Sequence, residues 1–106
     1  KKYMMINQVK NPAVIIDASH DNCLMNGIKN HRLQPEIIFS VMKYLKERPD
    51  LRKLMKGFMV ESYLKEGNQK LESCTPSNID LDGLSITDPC LGWEETKDLI
   101  FTLANQ

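Results

Sequence analysis

Ala13-Val14-Ile15-Ile16-Asp17-Ala18-Ser19-His20 carries the reading of the fold. Its apolar half is short, continuous and β-branched, which suits a strand buried on both faces of a sheet. Asp21, Asn22, Asn26, Gly27 and Asn30 follow, a loop composition. Pro35-Glu36 then opens a helix, since proline fits the first helical turn and an acid there favours the dipole. Ile37, Ile38, Val41, Met42 and Leu45 fall on one helical face. Pro49 stops this helix or starts a further turn through Leu51, Leu54 and Met55. A second strand is expected at Gly57-Phe58-Met59-Val60-Glu61-Ser62, and a long loop over 64–82. A third strand is expected at Gly83-Leu84-Ser85-Ile86-Thr87-Asp88, stopped by Pro89. The last helix runs from Trp93 to Ala104, with Glu94 and Glu95 in its first turn and a stripe of Leu99, Ile100 and Leu103. Helical crossovers between short buried strands imply an α/β fold with parallel pairing, about three strands in all.

Composition sets the bounds. The 106 residues make one domain at most, with 42% hydrophobic and 26% charged residues. Fourteen basic residues balance fourteen acidic ones, so no nucleic-acid footprint is expected. No apolar run approaches the roughly 18 residues of a membrane span, and no membrane partner is expected. Residues 1–12 read as a lead-in without a signal peptide, because Tyr3-Met4-Met5-Ile6 gives way at once to polar residues. Cys23, Cys74 and Cys90 form no CxxC pair, which fits reduced thiols in a cytoplasmic protein.

The three expected strands end alike, at or near His20, Glu61 and Asp88. On parallel neighbours these groups meet on the carboxyl rim, where α/β barrels and open sheets place their sites. One imidazole and two carboxylates suit manganese, iron, cobalt or zinc better than calcium, which prefers oxygen alone. The plainer reading is that each polar residue is merely entering solvent. His31 reads as an exposed loop histidine, or as a phosphate or substrate contact beside Arg32. Cys23 and Cys90 read as inert thiols rather than ligands, and the six methionines as core filler.

Three blocks carry a resemblance. Ile-Asp-Ala-Ser-His-Asp-Asn (16–22) resembles the Asp-x-Ser-His-x-Asn segment of type I DAHP synthase, 3-deoxy-D-arabino-heptulosonate-7-phosphate synthase. Lys-Gly-Phe-Met-Val-Glu-Ser-Tyr-Leu-Lys-Glu-Gly-Asn-Gln (56–69) resembles its Gly-x-Met-x-Glu-Ser-x-Leu-x-Glu-Gly-x-Gln segment. Leu-Ser-Ile-Thr-Asp-Pro-Cys-Leu-Gly-Trp-Glu-Glu-Thr (84–96) resembles its Ser-Ile-Thr-Asp-x-Cys-x-Gly-Trp-Glu-x-Thr segment. The blocks stand in the family's order, and the family-like region covers roughly residues 13–104. Departures are small: Pro89 stands where the family often has Ala, Asp21 replaces a small residue, and Lys46–Lys56 is longer.

The resemblance implies the C-terminal part of a (β/α)₈ TIM barrel, its last three strands. It implies an aldol-type transferase that condenses phosphoenolpyruvate with erythrose 4-phosphate at the head of the shikimate pathway. It also implies one divalent metal held by a Cys, a His, a Glu and an Asp, of which His20, Glu61 and Asp88 match the last three. Asp88 and His20 are thereby the catalytic candidates. The cysteine ligand and the phosphate clamps belong to early strands that do not match here. A whole barrel takes roughly 250 residues. Open strand edges invite pairing, so self-association, a complementing chain or a chain cut from a longer gene product is expected, with no turnover by this chain alone. The competing class is a non-catalytic interaction or regulatory module on a truncated scaffold. A metal-dependent hydrolase is weaker, because no nucleophile and base pair stands out.

Overall fold

The structure, a computed structural model, describes residues 9–106. Most of the lead-in expected over 1–12 lies outside the described residues. Strand β1 (Val14–Asp17) pairs in parallel with β4 (Met55–Met59), with Ile15 opposite Gly57 and Asp17 opposite Met59. Between them come a 3₁₀ turn (His20–Cys23), a small antiparallel hairpin of β2 (Leu24–Met25) and β3 (Ile28–Lys29), helix α1 (Leu33–Lys46) and the short α2 (Pro49–Arg52). A 3₁₀ turn at Leu71–Ser73 and helix α3 (Trp93–Ala104) complete the chain.

Helix α1 starts two residues before the expected Pro35. Its first turn is set by Asn30, whose side chain accepts the Arg32 N–H and whose carbonyl accepts the Leu33 N–H. Pro35 lies among the first amides, which have no partner within a helix, so its missing N–H costs nothing. Ile38 of this helix is fully buried against Ala18, Leu91 and Leu99. Phe58, Val60, Met42 and Leu103 pack around that cluster. The core thus joins the β1–β4 pair, α1 and α3, which is the crossover packing of an α/β unit.

Three strand expectations are corrected. β1 stops at Asp17, three residues short of His20, because the Asp17 side chain diverts the backbone beyond it. It is not buried on both faces: Ile15 is 56% exposed and Met59 of β4 is also exposed, since among the described residues no layer covers that side. β4 spans Met55–Met59, so Glu61 lies past its end. Among the described residues, 83–89 forms no named strand. It runs beside the 61–69 segment through single bridges, Asn68 with Ser85 and, just beyond, Gly67 with Cys90 and Ser62 with Leu91. Gly83 is needed there: at φ +102° a Cβ would come 2.6 Å from that of Leu64.

Candidate metal centre

His20 is placed by its neighbours rather than by a strand. After the last rung, from the Ala18 N–H to the Met59 carbonyl, the chain turns. Asp17 governs the turn. One of its carboxylate oxygens accepts the Ser19 N–H at 2.8 Å, and the other meets His20 Nδ1 at 2.8 Å. Asn22 Nδ2 donates to the Asp17 carbonyl, and Cys23 Sγ to the His20 carbonyl. His20 itself has φ +53°, left-handed backbone that costs a non-glycine residue roughly 1 kcal/mol. Backbone strain of this kind clusters at functional sites.

Glu61 is set by Gln34 from the first turn of α1. The fully buried Gln34 amide accepts the Glu61 N–H at 2.8 Å and donates to the Glu61 carbonyl at 3.1 Å. This two-point clamp replaces the ladder that β4 no longer supplies. Asp88 sits in the bridged segment, tied through Oδ1 to the Lys29 ammonium at 2.7 Å. Asn68 Nδ2 donates to the neighbouring Thr87 carbonyl.

These three elements bring His20, Glu61 and Asp88 together, with one donor atom from each within 4.8 Å of the others. His20 Nε2 lies 3.2 Å from Glu61 Oε1 and 3.6 Å from Asp88 Oδ2. Two donors about 2.1 Å from one ion at tetrahedral or octahedral angles stand roughly 3.0–3.4 Å apart, so the His20–Glu61 spacing fits a first-row dication and Asp88 lies a few tenths of an ångström beyond it. Each side chain is about one-third exposed, which leaves room for water or substrate. The electrostatics agree with the geometry. The Ser19 amide, and then the His20 ring, hold the Asp17 carboxyl below its ordinary range. Asp17 in turn raises the imidazole pKa, with smaller help from Glu61 and Asp88. Lys29 keeps Asp88 low. With Nδ1–H committed to the Asp17 carboxylate, Nε2 is the nitrogen turned towards both acids, the carboxylate–histidine arrangement found behind metal-binding histidines.

The sequence profile of the DAHP synthetase I family matches residues 1–100. The chain belongs to that family. Among relatives, the Trp-sensitive phospho-2-dehydro-3-deoxyheptonate aldolase of Enterobacter agglomerans is 42% identical over 91 residues, which is 86% of this chain and 23% of that relative. The enzyme of the same name from Escherichia coli (strain K12) is 38% identical over 92 residues, 87% of this chain and 24% of the relative. The solved phospho-2-dehydro-3-deoxyheptonate aldolase of Francisella tularensis SCHU S4 superposes with a TM-score of 0.68 at 30% identity, over 88% of this chain and 24% of that one. The chain therefore spans about a quarter of the length of the DAHP synthases it matches, and its fold is a piece of their α/β barrel.

Against this family background, two expectations about neighbouring residues are corrected or refined. His31 is not an exposed loop histidine: its side chain is only 15% exposed, and Nε2 stands 3.6 Å from Glu66 with no hydrogen-bond partner. Arg32 is exposed and pairs with Glu66 at 2.8 Å. Cys23 and Cys90 are buried, and burial pushes the Cys90 thiol pKa up, away from a ligating thiolate. Sequence reasoning missed Asp17, Gln34 and Lys29, which position the three donors. Asp17 was within sight, three residues before a histidine. Gln34 carried no signal, because a glutamine in a helix's first turn usually faces water.

Proposed function

We propose that this chain is the metal-holding C-terminal portion of a DAHP synthase barrel, with His20, Glu61 and Asp88 as three ligands of one divalent ion such as manganese, iron, cobalt or zinc. The observation that supports this reading is the convergence of an imidazole and two carboxylates, with one donor atom of each within 4.8 Å of the others, in a chain of this family. When bound, the metal supplies Lewis acidity to the aldehyde oxygen of erythrose 4-phosphate as phosphoenolpyruvate condenses with it. His20 binds through Nε2 while Asp17 fixes its tautomer and ring plane. Glu61 and Asp88 would offset the ion's charge. The phosphate clamps and the cysteine ligand come from the rest of the barrel, so this chain alone does not turn over. The rest of the barrel is supplied by self-association, by a complementing chain, or by a longer gene product of which this sequence is a part, since open strand edges favour pairing. Three free cysteines support a reducing, cytoplasmic setting.

Titration with manganese tests the reading. One ion per chain is expected, with affinity falling more than about tenfold in His20→Ala and in Glu61→Ala. Absence of binding would leave the chain a non-catalytic scaffold. Turnover of both substrates by the isolated chain at an ordinary kcat would overturn its inactivity.

A further inference from the structure

Lys29 occupies one oxygen of a carboxylate whose other oxygen faces the candidate ion. Its ammonium lies 2.7 Å from Asp88 Oδ1, while Asp88 Oδ2 is the atom that approaches His20 Nε2. This is not a long surface lysine that happens to reach an acid. Lys29 ends a hairpin whose rungs pair it with Leu24. The hairpin is closed by Asn26 and Gly27, both at positive φ, the conformation a two-residue connection requires. The Asn30 N–H to Cys23 carbonyl bond, at 2.8 Å, fastens its base to the turn that carries His20. The hairpin is thus braced on the same turn that presents the imidazole, and the ammonium approaches Asp88 from a fixed direction.

Two consequences follow for any cation that the three ligands hold. With Oδ1 committed to an ammonium, Asp88 offers one oxygen rather than two. The site also gains one positive charge beside its two carboxylates. Calcium takes six to eight oxygen ligands and uses bidentate carboxylates to reach that number. A small transition-metal ion needs fewer donors and takes imidazole nitrogen readily. The lost oxygen therefore weighs more heavily on calcium, while the added charge opposes both dications alike.

Resting on the metal reading above, we propose that Lys29 is a specificity-determining residue that limits Asp88 to one-oxygen ligation and so turns the site away from calcium in favour of a transition-metal dication. It acts through Asp88 and is a positioning residue.

The test is competition between the two ions, with free manganese read by electron paramagnetic resonance as calcium is added to the chain. The Lys29→Met chain is expected to shift the calcium-to-manganese affinity ratio towards calcium by roughly fivefold or more, because Asp88 regains a second oxygen for the ion that uses bidentate carboxylates. Lys29→Arg, which keeps a cation on Oδ1, is expected to restore the original ratio. Lys29→Gln serves as the neutral variant should Lys29→Met fail to fold. A merely structural role would weaken both ions alike and leave the ratio unmoved, and that result overturns the proposal. A chain that takes manganese but keeps its ratio in the neutral variants removes Lys29's part alone. A starting chain that takes no manganese overturns the metal reading, and this inference with it.

Discussion

His20 and Asp88 reach the same point by different means. The His20 end grows from a parallel ladder, is backed by a core of Ala18, Ile38, Leu91 and Leu99, and is closed by three short hydrogen bonds to Asp17. The Asp88 end has no ladder. It hangs on single bridges to the 61–69 segment and on side-chain ties from Lys29 and Asn68. One ligand therefore stands at the end of a continuous ladder, the other in a segment held by isolated backbone bridges and side-chain ties. Local opening should begin on the Asp88 side, where the backbone pairing is interrupted.

The comparison breaks most completely at Ile38, because its side chain ties the ladder to the helices. Ile38→Ala should cost about 3 kcal/mol by leaving a cavity in a fully buried site. Urea unfolding followed by fluorescence and by circular dichroism should then show both ends lost together; survival of the His20 turn would show the ends to be independent units. A smaller and one-sided effect is expected at Gly83. Gly83→Ala places a Cβ against Leu64 in left-handed backbone and should cost about 2 kcal/mol. Amide hydrogen exchange should rise over 83–91 and stay unchanged over 14–20. Equal rises in both segments would refute the asymmetry.

The smallest effect is the pH dependence of the Arg32–Glu66 pair, which braces the loop side. Arg32, and then a hydrogen bond with Glu95, hold Glu66 down to about 2, well under its ordinary 4.5. A depressed carboxylate stabilises the fold above its unfolded pKa and loses that contribution as pH falls through the folded one. The Arg32–Glu66 contribution is therefore whole above about pH 4.5 and gone near pH 2. Glu95 runs the other way, since sharing a proton with Glu66 raises its pKa, so its contribution fades as pH rises. Acid unfolding of Glu66→Gln should differ from that of the original chain at pH 6 and converge with it near pH 2. A constant offset would exclude the pair.

The same asymmetry explains what could be read from the residues alone. Helix α3 was legible to its ends, because Gly92, two first-turn glutamates and an apolar stripe all point one way. The β1–β4 pairing was legible from two β-rich runs separated by a helix. Where the strands stop was not, since that depends on Asp17 capturing the Ser19 amide rather than on any propensity. The hairpin signal, Asn26-Gly27, was present but passed for a plain loop. The Asp88 segment looked like a strand because Leu84 and Ile86 alternate with polar residues, yet a strand needs a continuous partner, and here it has only bridges.

The backbone at His20 has a consequence of its own. Glycine would relax its left-handed turn, and asparagine would sit there more easily than most residues. Neither brings an imidazole. A more relaxed turn and an imidazole beside two acids are therefore competing demands on one residue, and His20→Gly is the change that would exchange the second for the first.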